Sequence, residues 1–137
     1  MSSNERDEVD RWENSILESV MGTFFEDLNG IYISEVGNCW RDQQSIVIIT
    51  AWNPNFIPVS DSDNQRQHLL LQQILQDSCK DYEEILAWWP DRKGFERSFA
   101  VKEMTHVEAR MTCLRFGQAA YFRANRGERI QLVKIAD

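Results

Sequence analysis

The chain is poor in the residues that announce chemistry. It has three cysteines, Cys39, Cys79 and Cys113, far apart and without a C-x-x-C spacing. That excludes the usual signatures of a structural zinc site and of a redox pair. The two histidines, His68 and His106, have no Cys, Ser or acid near them at a recognised motif spacing. We read them as surface or helix-capping residues, and expect no metal site and no cofactor. There is no P-loop and no G-x-G-x-x-G, so no phosphate-cradling loop is signalled. No run of about 18 apolar residues occurs, which excludes a membrane-spanning helix. The opening MSSNERDEVD is acidic and polar, unlike a signal or transit peptide, so a cytoplasmic protein is expected. Repeats and low-complexity segments are also missing.

What is present suits one folded domain. The 137 residues are 42% hydrophobic and include five tryptophans, enough to bury a core without disulfides or metals. The net charge is −7, which argues against general nucleic-acid binding. The charge is uneven. Residues 1–30 carry eight acidic and two basic side chains, whereas residues 91–136 carry ten basic and five acidic. The basic last third leaves room for a local anion site or a partner docking by charge.

Residues 1–30 read as an acidic amphipathic helix, from Asp7 to about Leu28, with Val9, Trp12, Ile16, Val20 and Phe24 at helical spacing. Residues 31–137 read as an α+β core. Strands are predicted at Ile31–Val36 and at Ile46–Trp52, the latter an uninterrupted apolar run expected to be buried on both faces. Asn53-Pro54 breaks that strand. Ser62-Asp63-Asn64-Gln65 fits a capping box opening a helix with a core stripe of Leu70, Leu71, Ile74 and Leu75. Strands follow at Tyr82–Trp88 and Glu96–Val101. A second capping box, Thr105 to Glu108, opens a helix with Val107, Met111 and Leu114 on one row and Ala109, Cys113 and Phe116 on the next. Gly117 ends it, and strands at Ala119–Arg123 and Arg129–Ile135 close the chain around Asn125-Arg126-Gly127. The expected fold is a single α+β domain, a mixed sheet of five or six strands with two or three helices packed on it.

Chain direction brings several segments to one end of this sheet. With strand 46–52 running up, strand 82–88 runs up and strand 96–101 down, by the usual crossover geometry. The carboxyl end of the first strand then gathers Asn53, Ser60, Asn64, Arg66, Trp88, Trp89, Glu96, Ser98, Arg115 and Gln118 into a candidate ligand-binding rim. Glu96 is the candidate catalytic base, with an ion pair to Arg66 or Arg115 as the favoured structural alternative. Asn53 can read a ligand or cap the backbone break. Of Trp88 and Trp89, one is expected in the core and the other exposed for contact.

ITAWNP, SDSDNQRQ, ERSF and RFGQAAY, in that order, resemble a family of small bacterial domains of unknown function, DUF3293. Thr50, Ala51, Asn53, Pro54, Ser60, Asn64, Arg66, Glu96, Ser98, Phe99, Phe116, Gly117, Gln118 and Ala119 carry the resemblance, over about residues 46–135. It implies no activity. Three readings follow: a module binding an unknown small ligand or protein at the rim; a hydrolase or transferase using Glu96 as base, with Arg66 or Arg115 stabilising negative charge; and an acidic interaction protein whose N-terminal helix mimics nucleic acid to inhibit a nucleic-acid enzyme.

Overall fold

Apolar β-branched and aromatic stretches form the strands, and the computed structural model describes residues 20–135. The described residues form seven strands: β1 (Phe24–Asp27), β2 (Tyr32–Glu35), β3 (Ile46–Thr50), β4 (Tyr82–Trp88), β5 (Phe95–Lys102), β6 (Ala120–Ala124) and β7 (Gln131–Lys134). Two helices of the described residues, α1 (Asp61–Asp77) and α2 (His106–Arg115), complete it with a 3-10 turn at Pro54–Phe56. The sheet order is β2-β1-β4-β5-β3-β6-β7. The α+β class is as expected, but the sheet has seven strands rather than five or six. It is also not mixed: every pairing is antiparallel. β3 and β4 do run the same way, but β5 inserts between them and pairs with both.

The sheet curls until its ends meet. Gly37 N–H donates to the Ile130 carbonyl at 2.9 Å, Ile130 N–H to the Asn38 carbonyl at 2.9 Å, and Cys39 bridges Arg129. Each face of the sheet therefore has its own core. The concave face packs Phe25, Ile46, Ile48, Ile85, Ala100 and Ile130 around Trp40. The convex face packs Val47, Ile49, Phe99 and Val101 against Leu71 and Leu75 of α1 and Ala109 and Cys113 of α2. This double burial explains why β3 has no polar alternation.

Several expectations change. The predicted N-terminal helix cannot reach Leu28, because Phe24–Asp27 is a strand paired with both β2 and β4; residues 1–19 lie outside the described residues. Asn29-Gly30 turns the β1–β2 hairpin instead of stopping a helix, with Gly30 N–H on the Asp27 carbonyl at 3.0 Å. The α1 N-cap is Ser60, whose hydroxyl accepts from Asp63 N–H at 3.2 Å, two residues before the expected Ser62. The second capping box forms as read, Thr105 and Glu108 bonding reciprocally. Leu70 of α1 and the row Val107, Met111 and Leu114 of α2 are exposed, since the sheet takes only the adjacent rows. Among the described residues no helix is long and apolar enough to cross a membrane.

Candidate functional site at the carboxyl end of β3

β3 stops where its ladder is replaced by side-chain bonds. The Thr50 hydroxyl donates to the Arg97 carbonyl at 2.7 Å and accepts from Trp52 N–H at 3.1 Å. The next residue, Asn53, has φ 45°, a left-handed conformation that Asn tolerates better than most residues. It is buried, and its polar atoms are used. Its N–H donates to Asn64 Oδ1 at 2.9 Å, and Asn64 Nδ2 donates back to Asn53 Oδ1 at 2.9 Å. Asn53 Oδ1 also accepts from Val59 N–H, and Asn53 Nδ2 donates to Glu96 Oε1 at 3.2 Å. One side chain thus ties together the strand end, the loop to Val59, the first turn of α1 and the start of β5.

Glu96 lies on the concave side. It pairs in register with Ala87, and Ala87 with Phe25, both members of the concave core. Burial among these neighbours pushes its carboxyl up to about 7, with the Asn53 amide opposing the shift only in part. The expected ion pair is not made. Arg66 is exposed and pairs with Asp63 at 3.0 Å, and Arg115 is exposed at the end of α2.

One residue along β5, the opposite face holds a second polar cluster. Arg97 donates to both Glu84 oxygens at 3.0 and 2.8 Å and to Gln65 Oε1 at 3.1 Å. Glu84 is also hydrogen-bonded to His68 Nε2. Burial alone would raise Glu84, but the His68 and Arg97 bonds outweigh it and hold the carboxyl below its ordinary range. His68, expected at the surface, is fully buried and stacked on Phe99 with centroids 4.4 Å apart. Burial keeps its imidazole neutral, lowering its pKa against the pull of Glu84. Sequence reading missed this cluster. Its signal was the helical row Asn64, His68, Leu71, Leu75, which makes His68 face the sheet, together with Glu84 inside a strand.

Aromatic rings line the same end. Trp88 packs between Phe24 (6.1 Å) and Phe95 (5.0 Å), and Trp52 stacks on Phe95 at 6.1 Å. Trp89 is the exposed member of its pair, lying over Gly94, where a Cβ would come within 2.9 Å of the ring. Buried side-chain polar atoms without a hydrogen-bond partner, among the described residues, are Trp52 Nε1, Trp88 Nε1 and His68 Nδ1. The two indoles flank Phe95, and His68 lies one turn along α1 from Asn64.

Of the ten predicted rim residues, the structure joins Asn53, Asn64 and Glu96 directly. Ser98 is buried beside them, its hydroxyl on the Glu96 carbonyl at 3.2 Å. Gln118 donates to the Trp52 carbonyl at 2.9 Å, and Ser60 caps α1. Trp88 joins the aromatic group. Trp89, Arg66 and Arg115 point to solvent. A separate cleft of about 630 Å³ lies at the far end of α1, lined by Asp42, Lys80, Asp81, Lys102, Glu103 and Arg126 among others. No group of three or more His, Cys, Asp or Glu gathers as metal ligands among the described residues.

A curled antiparallel sheet, two helices on its convex face and a polar knot where β3 ends define the class: an α+β protein organised around one strand break. The chain belongs to the family described as Protein of unknown function (DUF3293), which it matches over residues 49–121. That span holds β3's end, the knot, both helices, β4 and β5, and stops short of the expected residue 135. No curated protein and no solved structure matches the chain.

Proposed function

We propose that the chain is a binding module that takes a small ligand at the end of the sheet where Asn53, Asn64 and Glu96 meet. The observation that carries this reading is Glu96. A half-buried carboxyl beside an apolar core is ordinarily paired with a cation or several donors, yet the side-chain contact found for it is one amide. The unpartnered indole N–H groups beside Phe95 mark the same end of the sheet, with Phe95 and Trp88 on the face opposite Glu96, and buried donors without partners are uncommon in folded proteins.

The test is a two-dimensional NMR titration of the protein with pooled metabolites, following the indole N–H signals. Shifts concentrated on Trp52, Trp88 and Asn53 are expected. Shifts confined to Lys80, Lys102 and Arg126 would move the site to the far cleft and end this reading. Native mass spectrometry of freshly purified protein gives an independent check through a retained ligand.

A second reading keeps Glu96 as a general acid–base, because its pKa near 7 matches that task. The arginines expected to stabilise negative charge there do not reach it, so this reading rests on Glu96 alone. Turnover of any identified substrate that survives Glu96→Gln would remove it.

A further inference from the structure

We infer that the outer face of α2 is a contact surface for a second copy of this chain, the two α2 helices packing antiparallel about a two-fold axis near Met111. α2 is apolar on two sides. Ala109 and Cys113, with Phe116 just beyond the helix, are buried against the sheet. Val107, Met111 and Leu114 look the other way, about 160° round the helix at 3.6 residues per turn. They are 65%, 65% and 58% exposed. The core does not need this second row, because the first already makes the contact with Val47, Ile49 and Tyr121. A surface helix ordinarily carries polar residues on the side away from its core. α1 does so, with Arg66, Gln73 and Asp77 among its exposed residues.

Spacing and charge point to the occupant. Val107, Met111 and Leu114 are separated by four and then three residues, the seam along which two helices interlock. Glu108 and Arg115 sit on one flank of that seam, toward opposite ends of the helix. A two-fold axis sets equal flanks of antiparallel helices side by side, so the Glu108 of each copy comes opposite the Arg115 of the other. Arg115 is exposed, and the Glu108 carboxylate stays partly exposed beside Lys80 and Thr105. Arg110, on the other flank, is half-buried and already engaged. The surface is therefore complementary to itself in both apolar row and charge. The three apolar side chains alone fall short of the about 800 Å² that each partner of a standard interface buries. The loop after β3 extends them. Asn55 N–H donates to the Gly117 carbonyl at 2.9 Å, which sets the exposed Phe56 and Ile57 next to the carboxyl end of α2. A reversible dimer, weaker than an obligate one, is the result.

Sedimentation equilibrium of the full chain over a concentration series tests this. A reversible monomer–dimer equilibrium is expected. Met111→Glu, at a solvent-facing position, should leave the urea midpoint unchanged and weaken dimerisation at least about tenfold, because it sets two carboxylates face to face at the axis. Arg115→Glu should weaken it severalfold at low salt and less at high salt. The orientation is read by Met111→Cys in a chain that also carries Cys39→Ser and Cys79→Ser. Its two introduced thiols lie near the axis, so mild oxidation should give a covalent dimer, whereas Gln73→Cys in the same background should not. A chain that stays monomeric at its highest soluble concentration overturns the inference. So does a dimer that Met111→Glu leaves intact, or one in which Gln73→Cys crosslinks as readily as Met111→Cys. A monomer in which Met111→Glu moves the NMR signals of residues 7–19 would mean that the chain's own first residues cover this face, and overturns it as well.

Discussion

Glu84 and Glu96 belong to adjacent strands of one sheet, on opposite faces, and have opposite fates. Glu84 faces the helices, receives Arg97 and His68, and stays ionised. Glu96 faces the concave side, receives one amide, and is pushed toward neutrality at ordinary pH. Their contrast separates a polar cluster that is complete from one that is not. A complete cluster is explained by the fold it supports. An incomplete one costs stability without a structural return, which is the usual mark of a site kept for function.

The largest effect should come from breaking the complete side. Glu84→Ala strands Arg97 and the His68 Nε2–H, and loss of one partner of a buried pair costs about 3–5 kcal/mol. Arg97 is partly exposed, so the lower end, about 3 kcal/mol, is expected in urea denaturation at neutral pH. Asn53→Ala should follow closely, at about 2–3 kcal/mol. It removes the side-chain bonds to Asn64, Val59 and Glu96, keeping only the backbone N–H bond to Asn64, and leaves a Cβ-bearing residue with no side-chain bond at a left-handed φ. Asn53→Gly isolates the two causes: it relieves φ but restores no bond, so a loss persisting in Gly belongs to the network.

The pH responses of the two sides run in opposite directions. The Glu96 pKa is raised in the folded state, so the folded protein holds its proton more tightly than the unfolded chain does. Its contribution is fully present below the unfolded value of 4.5 and is lost as pH rises through about 7. Glu84 and His68 are lowered in the folded state, so what they contribute is present above their ordinary values and lost as pH falls through the lowered ones. Glu96→Gln should keep the Asn53 bond and remove the titration. The variant should match the wild type near pH 4.5 and exceed it by about 3–4 kcal/mol well above neutrality, since each tenfold change in proton affinity is worth about 1.4 kcal/mol. A gap that stays constant with pH would show that Glu96 is not the titrating group.

Much of this end is legible in the sequence. Chain direction alone brings Asn53, Asn64 and Glu96 together, because strand orientation follows from connection length and helix crossovers. What fails is partnership. The opposite faces of β5 put Glu96 and Arg97 back to back, and the sequence offers no sign of which arginine a carboxylate meets across strands. Arg66 and Arg115 are the wrong choices because both lie on helix surfaces turned to solvent. The helix rows fail for a related reason. Val107, Met111 and Leu114 are as periodic as Ala109, Cys113 and Phe116, and only the small side chains of Ala109 and Cys113 hint at the closer approach to the sheet. The seventh strand is missed because Phe24 and Phe25 continue a helical spacing, while Gly22 and the pairing with β4 decide for a strand.

The smallest expected effect tests whether the contrast is local. α1 begins in the Asn53–Asn64 knot but ends in an ordinary Schellman turn: Lys80 N–H reaches the Leu75 carbonyl at 3.0 Å and Cys79 N–H the Gln76 carbonyl at 3.0 Å. α2 ends the same way, with Gly117 at φ 67°. In α1 the left-handed position is held by Cys79 at φ 56°, where a Cβ is disfavoured. Cys79→Gly should therefore stabilise the protein by about 0.5–1 kcal/mol, the relief of strain exceeding the added freedom of the unfolded chain. Because the far end of α1 carries none of the groups that titrate around Glu96, this gain should be the same at pH 4.5 and pH 8. A gain that changes with pH would mean that strain at the helix end reaches Asn64 and Glu96, and that the two ends of α1 act as one unit.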